Sequence, residues 1–194
     1  MTPPPNDASP PWSRRLIAEL DAADQRAKAL AANLSPDQLN WNPRPGAWSV
    51  GQCLEHLSVS NEVYLLAISE SLANQPSAVV QDISIGWFGR WFIRNYVAPP
   101  SGTSKPTKAP APGKIRPGTR VDPGILDRFI RSNEAARQVI RRATGHDVNR
   151  IRFKNPLVSV IRFTVGTGLE IISQHEQRHL LQAERVRESA NFPR

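Results

Sequence analysis

The 194-residue chain has a single cysteine, Cys53, so it cannot close an intramolecular disulfide, and a reducing compartment, the cytoplasm, is the expected location. It also lacks any run of about 18 uncharged apolar residues, the length a membrane span needs. The nearest approaches, Ile83 to Val97 and Leu157 to Ser173, are interrupted by Arg90, Arg94, Arg162 and Glu170, so no membrane association is expected. The opening stretch, Met1 to Pro11, is proline-rich and carries Asp7. That excludes the basic-then-apolar layout of a secretory signal and predicts a disordered leader over residues 1–11. Acidic residues are scarce between Arg90 and Lys154, and 25 Lys and Arg against 17 Asp and Glu leave a net charge of +8. Such a surplus is usually solvated surface, and it also favours small anionic ligands. Internal repeats and heptad arrays are absent, and alternating strand patterns nearly so.

What is present reads as helix. Leu16, Ile17, Leu20, Ala23, Ala27 and Leu30 recur at three- and four-residue intervals, which predicts a first amphipathic helix over Trp12 to Leu34. Ser35-Pro36-Asp37-Gln38 is a capping-box start with proline in the first helical position, and Asn42 to Gly46 ends that short turn. Ser49-Val50-Gly51-Gln52 is a second capping box, ahead of a helix carrying Leu54, Leu57, Asn61, Tyr64, Leu65, Ile68 and Leu72 to about Ala73. Trp87, Phe88, Trp91, Phe92 and Tyr96, interleaved with Arg90 and Arg94, predict a short amphipathic helix. Such a stripe usually docks on its own bundle, although a homodimer contact is another use for it. It carries no interlocking nucleic-acid motif, so nucleic acid is not an expected partner. Residues 98–121 are rich in proline, whose missing amide hydrogen suits neither helix interior nor central strand, and predict an exposed loop. Asp122-Pro123 predicts the cap and first position of a third long helix, ended by Gly145. Thr167 with Glu170 predicts the cap of a fourth. Four long helices imply an all-α four-helix bundle in one domain over residues 12–190, and the roughly fifty-residue connection between the second and third implies a crossover.

His175 and His179 stand four residues apart, which on a helix stacks their imidazoles one turn apart on the edge of the stripe formed by Val165, Leu169, Ile172, Leu180 and Ala183. Two imidazoles so placed can share one ion, zinc or nickel being the usual partners of neutral ring nitrogens. The pair alone is a weak signal. His56 lies about 120° from the centre of its own helix's apolar stripe, a flank that periodicity does not single out.

Leu39-Asn40-Trp41-Asn42-Pro43 and Ala47-Trp48-Ser49-Val50-Gly51-Gln52-Cys53-Leu54-Glu55-His56-Leu57 resemble the signature at the start of the second helix in the DinB-like, or YfiT-like, superfamily. His175-Glu176-Gln177-Arg178-His179-Leu180-Leu181-Gln182 is similar to that superfamily's paired-histidine segment, in the same order and at a similar separation. The resemblance implies an up-down-down-up bundle with the long crossover between helices 2 and 3, and His56, His175 and His179 as ligands of one divalent metal ion. Three neutral ligands leave positions open for water or substrate. The implied function is a metal-dependent transferase or hydrolase acting on a small molecule, an anionic one by the charge balance, through thiol transfer or hydrolysis, with a low-molecular-weight thiol as cosubstrate in the first case. A non-catalytic metal-binding or oligomerising bundle is the alternative, since fold alone does not choose a reaction.

His175-Glu176-Gln177-Arg178-His179 also matches H-E-x-x-H, in which the glutamate is the general base of a zinc protease. Only fifteen residues follow His179, and Gln182 and Arg185 occupy the later Gly and His positions of the extended pattern, so this reading is set aside. Glu176 falls near the middle of its helix's apolar stripe, where an unpaired carboxylate is costly. A salt bridge to an inward-reaching arginine is expected, and a proton-transfer role makes Glu176 a weak catalytic candidate. Cys53 is expected to be a buried inert thiol and His146 a surface residue.

Overall fold

The computed structural model describes residues 9–100 and 111–194. In chain order the helices are α1 (Pro11–Ala31), α2 (Pro36–Leu39), α3 (Val50–Leu72), α4 (Trp87–Phe92), α5 (Ile125–Ala143) and α6 (Val165–Arg187). Two short strands, β1 (Arg152–Lys154) and β2 (Arg162–Thr164), pair antiparallel with Phe153 opposite Phe163. Most of the expected leader, residues 1–8, and residues 101–110 of the expected loop lie outside the described residues. Elsewhere in that loop Ile115 and Val121 are buried. Among the described residues no helix is long and apolar enough to cross a membrane.

The four long helices form the bundle, with α3 packed most extensively against α5 and α6, and α1 against the same two. Cross-helix pairs fix the directions. Arg15 meets Glu170 and Arg26 meets Glu184, so α1 and α6 run parallel. Asp24 meets Asn133 while the earlier Asp21 meets the later Arg137, so α5 runs against α1. Ile125 and Phe129 share one apolar cluster with Val50 and Leu54, and Ile140 and Ala143 share the other with Ile68 and Leu72, so α3 and α5 run parallel. The course is up-down-down-up, and the chain between α3 and α5 makes the crossover.

Between those two apolar clusters lies a buried polar layer to which every long helix contributes: Asp24 from α1, Asn61 from α3, Ser132, Asn133 and Arg137 from α5, and Glu176 from α6. Burying side chains such as Leu16, Leu54, Ile68 and Leu180 on either side contributes about 1.5–3 kcal/mol each. The polar layer contributes through hydrogen bonds and sets the register between helices.

Both capping boxes form as expected: the Ser35 and Ser49 hydroxyls accept from the amides of Gln38 and Gln52, whose side chains accept in return. Two other expected caps are displaced. The α5 cap is Gly124, because Asp122 Oδ1 accepts the Gly124 amide at 2.7 Å and holds Asp122 to Gly124 in a turn ahead of the helix. The α6 cap is Thr164 and not Thr167: β2 feeds directly into the helix, so the last extended residue caps it and Thr167 supplies the amide it accepts. The ribbon lies over α6 with Phe153 and Phe163 buried. Gly168 permits this contact, since a Cβ there would sit 2.6 Å from the Phe153 ring.

Candidate functional site

The Ser49 cap fixes where α3 begins, and His56 follows two turns on, facing α6. Because α3 and α6 are antiparallel, His56 arrives opposite His175 and His179. The structure brings all three together: one ring nitrogen from each lies within 4.8 Å of the others, and His56 Nε2 is 3.1 Å from His175 Nε2. Ring centroids are separated by 4.5 Å (His56 to His179), 4.6 Å (His175 to His179) and 4.9 Å (His56 to His175).

Two rings are anchored by their other nitrogen. His56 Nδ1 donates to the Ile115 carbonyl at 2.7 Å, from a short 3-10 turn at Gly113–Ile115, and His179 Nδ1 donates to Gln182 Oε1 at 3.0 Å. Each bond leaves Nε2 with its lone pair turned to the cluster, the usual arrangement around a metal-ligating histidine. Trp48 stacks on His179, centroids 5.5 Å apart, and closes one side. Burial lowers the pKa of all three histidines. His179 falls to about 3, and His175 falls well below its ordinary value, helped by the charges of its two partners and Arg178. Neutral imidazoles are the form that binds a metal.

The donor set fits a divalent ion. Two nitrogens bound at about 2.0–2.1 Å in tetrahedral geometry stand about 3.3 Å apart, close to the separation of His56 and His175. No carboxylate or thiolate joins the group among the described residues.

Glu176 departs from expectation. It is fully buried beside His175, but its partners are amides: Asn61 Nδ2 donates to Oε1 at 2.8 Å and Asn133 Nδ2 to Oε2 at 3.3 Å. The inward-reaching arginine exists, as Arg137, and pairs instead with Asp24 and Asp21 from α1. Asn133 links the two, donating to Asp24 Oδ1 at 2.7 Å. Burial is the main force on the Glu176 carboxyl and pushes its pKa up to about 8 against the opposing Asn61 hydrogen bond. Glu176 thus faces the polar layer of the core and does not line the cavity beside the histidines. Cys53 is fully buried, with its thiol pKa raised by burial, and stands apart from the cluster. His146 is half-buried, with Nδ1 3.2 Å from the Pro76 carbonyl.

The histidines open on a cavity of about 1130 Å³. Phe88, Trp91 and Phe92 of α4 and Leu157 and Ile161 of the β1–β2 connection form an apolar wall, and Arg44, Arg116 and Arg178 bring positive charge. Ser60, one turn beyond His56, also lines it, and its buried hydroxyl has no hydrogen-bond partner. A second cavity of about 460 Å³ adjoins across Trp48, Arg178 and Gln182. Of these residues, Gln182 was findable from its position three residues after His179. The Ile115 carbonyl was not, being a backbone group on an irregular loop.

The DinB superfamily model matches residues 19–183. The chain belongs to the DinB superfamily. Among solved structures it is similar to YfiT from Bacillus subtilis, with a TM-score of 0.61 and 16% identity over 99% of this chain and 95% of that one. YfiT is described as a probable metal-dependent hydrolase with an unusual four-helix bundle topology. No curated protein matches the chain.

Proposed function

We propose that the protein is a metal-dependent hydrolase of small molecules, with His56, His175 and His179 holding one zinc or nickel ion. The convergence of three neutral imidazoles, two of them anchored, at the edge of a large cavity carries this reading. When bound, such an ion acidifies a water or thiol at its open positions and polarises a carbonyl. The chain's own residues supply the setting. Ile115 and Gln182 hold two rings in orientation, Trp48 excludes water from one side, and Arg44, Arg116 and Arg178 favour an anionic substrate. YfiT's description supports hydrolysis as the reaction. Thiol transfer is the second reading, supported by the adjoining cavity, which offers room for a thiol cosubstrate next to the histidines.

The test is turnover of a panel of small esters, amides and electrophilic thiol acceptors by zinc- or nickel-loaded protein, with and without added low-molecular-weight thiols. Activity that falls at least 100-fold both on chelation and in His175→Ala is expected. A thiol requirement selects the second reading. Turnover indifferent to both chelation and His175→Ala contradicts the metal-dependent reading, and none on the whole panel from fully loaded protein favours the non-catalytic binder.

A further inference from the structure

The large cavity is segregated along α6. Ile171, one turn before His175, belongs to its apolar part, together with Phe88 and Phe92 of α4 and Leu157 and Ile161 of the β1–β2 connection. Arg178 and Gln182 follow His175 at the other end, where Arg44 joins them from the loop before α3. From Ile171 to Gln182 the helix rises about 16 Å, with the histidines between the two regions. Among the described residues no aspartate or glutamate lines this cavity or its neighbour, whereas Arg44 and Arg178 line both. Arg178 Nη1 donates to the Ala98 carbonyl at 2.9 Å, which ties its guanidinium to the cavity's wall. The apolar wall is open at its edge, where Trp91, Tyr96 and Val158 are each about 40% exposed, which gives an apolar chain a way in.

We propose that the cavity takes an elongated amphipathic monoanion, its negative end at Arg44 and Arg178 and its apolar body against α4 and the β1–β2 connection. Atoms between the two ends then lie at the histidines. The proposal deepens the hydrolase reading by naming its substrate class, and it rests on that reading for the reaction alone. The binding of such a molecule needs only the cavity's own walls.

Isothermal titration calorimetry of the full chain with decanoate, below its micellar range, tests this. Decanol and decyltrimethylammonium control for the charge, and butyrate for the apolar body. Chelator-treated protein is used first, so that a carboxylate cannot bind through an ion. Decanoate is expected to bind at least tenfold more tightly than any control. Arg44→Ala combined with Arg178→Gln should remove most of that preference while leaving decanol binding unchanged. Trp91→Ala, at a partly exposed site, should weaken decanoate and decanol alike. The proposal is overturned if decanol or the decyl cation matches decanoate, if the arginine variant keeps the preference, or if decanoate does not bind at millimolar concentration. These outcomes are separable from the hydrolase reading. Selective binding by a protein with no metal-dependent turnover overturns only the latter, and metal-dependent turnover without the preference overturns only the former.

Discussion

Arg137 is the residue whose removal the core should tolerate least. Its side chain is 8% exposed and pairs with Asp24, itself 9% exposed, while its Nε donates to the solvent-facing Asp21 at 2.9 Å. Arg137→Met keeps the aliphatic stem's volume and deletes the charge, leaving the Asp24 carboxylate buried with the Asn133 amide as its remaining partner. Breaking one side of a buried ion pair costs about 3–5 kcal/mol, because the remaining charge has lost both water and counterion. For a chain of this size each kcal/mol lowers Tm by about 2–4 °C, so the variant should melt roughly 6–20 °C below the parent. Asp24→Asn in the same chain removes the stranded charge and keeps an oxygen for Asn133. The double variant is expected within about 1–2 kcal/mol of the parent. Urea unfolding followed by far-ultraviolet circular dichroism reads all four corners of this cycle. Since Asn133 also donates to Glu176 beside His175, Arg137→Met should weaken metal retention as well. The reasoning is refuted if Arg137→Met stays within about 1 kcal/mol of the parent, or if the double variant is no more stable than Arg137→Met.

Two further perturbations test the core and the site's surroundings. Gly168→Ala pushes a methyl group against Phe153 and Ile68, and such overpacking should cost about 1–3 kcal/mol; an unchanged melting temperature by circular dichroism would show that the ribbon yields freely. Glu176, with its folded-state pKa raised to about 8 from an unfolded value near 4.5, contributes stability that is fully present below 4.5 and lost as pH rises through 8. Relative to Glu176→Gln, in which the histidine contribution is the same, the metal-free parent should therefore lose about 1.4 kcal/mol per pH unit between about pH 5.5 and 7. Urea titrations of both chains at several pH values measure it, and a parent-minus-variant slope of zero would contradict the raised pKa.

Helix boundaries were readable wherever side chain and backbone serve one purpose. Ser35 and Ser49 cap by the pattern their neighbours spell out, and Leu16, Leu20 and Ala27 bury as their spacing requires. Thr164 was hidden because β2 and β1 are three residues each, too short for alternation to register, and Thr167 lies nearer the apolar periodicity of α6. Asp122-Pro123 matches a helix start, but its side chain closes a turn instead. The pairing of His175 with His179 follows from helical spacing. His56 came from family resemblance, because it faces the cavity between α3 and α6, off the centre of its helix's apolar stripe. Glu176's amide partners come from α3 and α5, 115 and 43 residues away in sequence, and no local pattern reports such a meeting. Asn61 and Asn133 read as interruptions of apolar stripes; only the assembled bundle shows them as one layer.

The central claim is that three imidazoles hold one ion. Purified full-length chain, equilibrated with zinc or nickel and freed of excess by gel filtration, is analysed by elemental mass spectrometry and by X-ray absorption at the metal edge. The account predicts one ion per chain, with imidazole nitrogens at about 2.0–2.1 Å, lost in His175→Ala and sharply reduced in His56→Ala. Retention no greater than that of a variant lacking His56, His175 and His179 would contradict it.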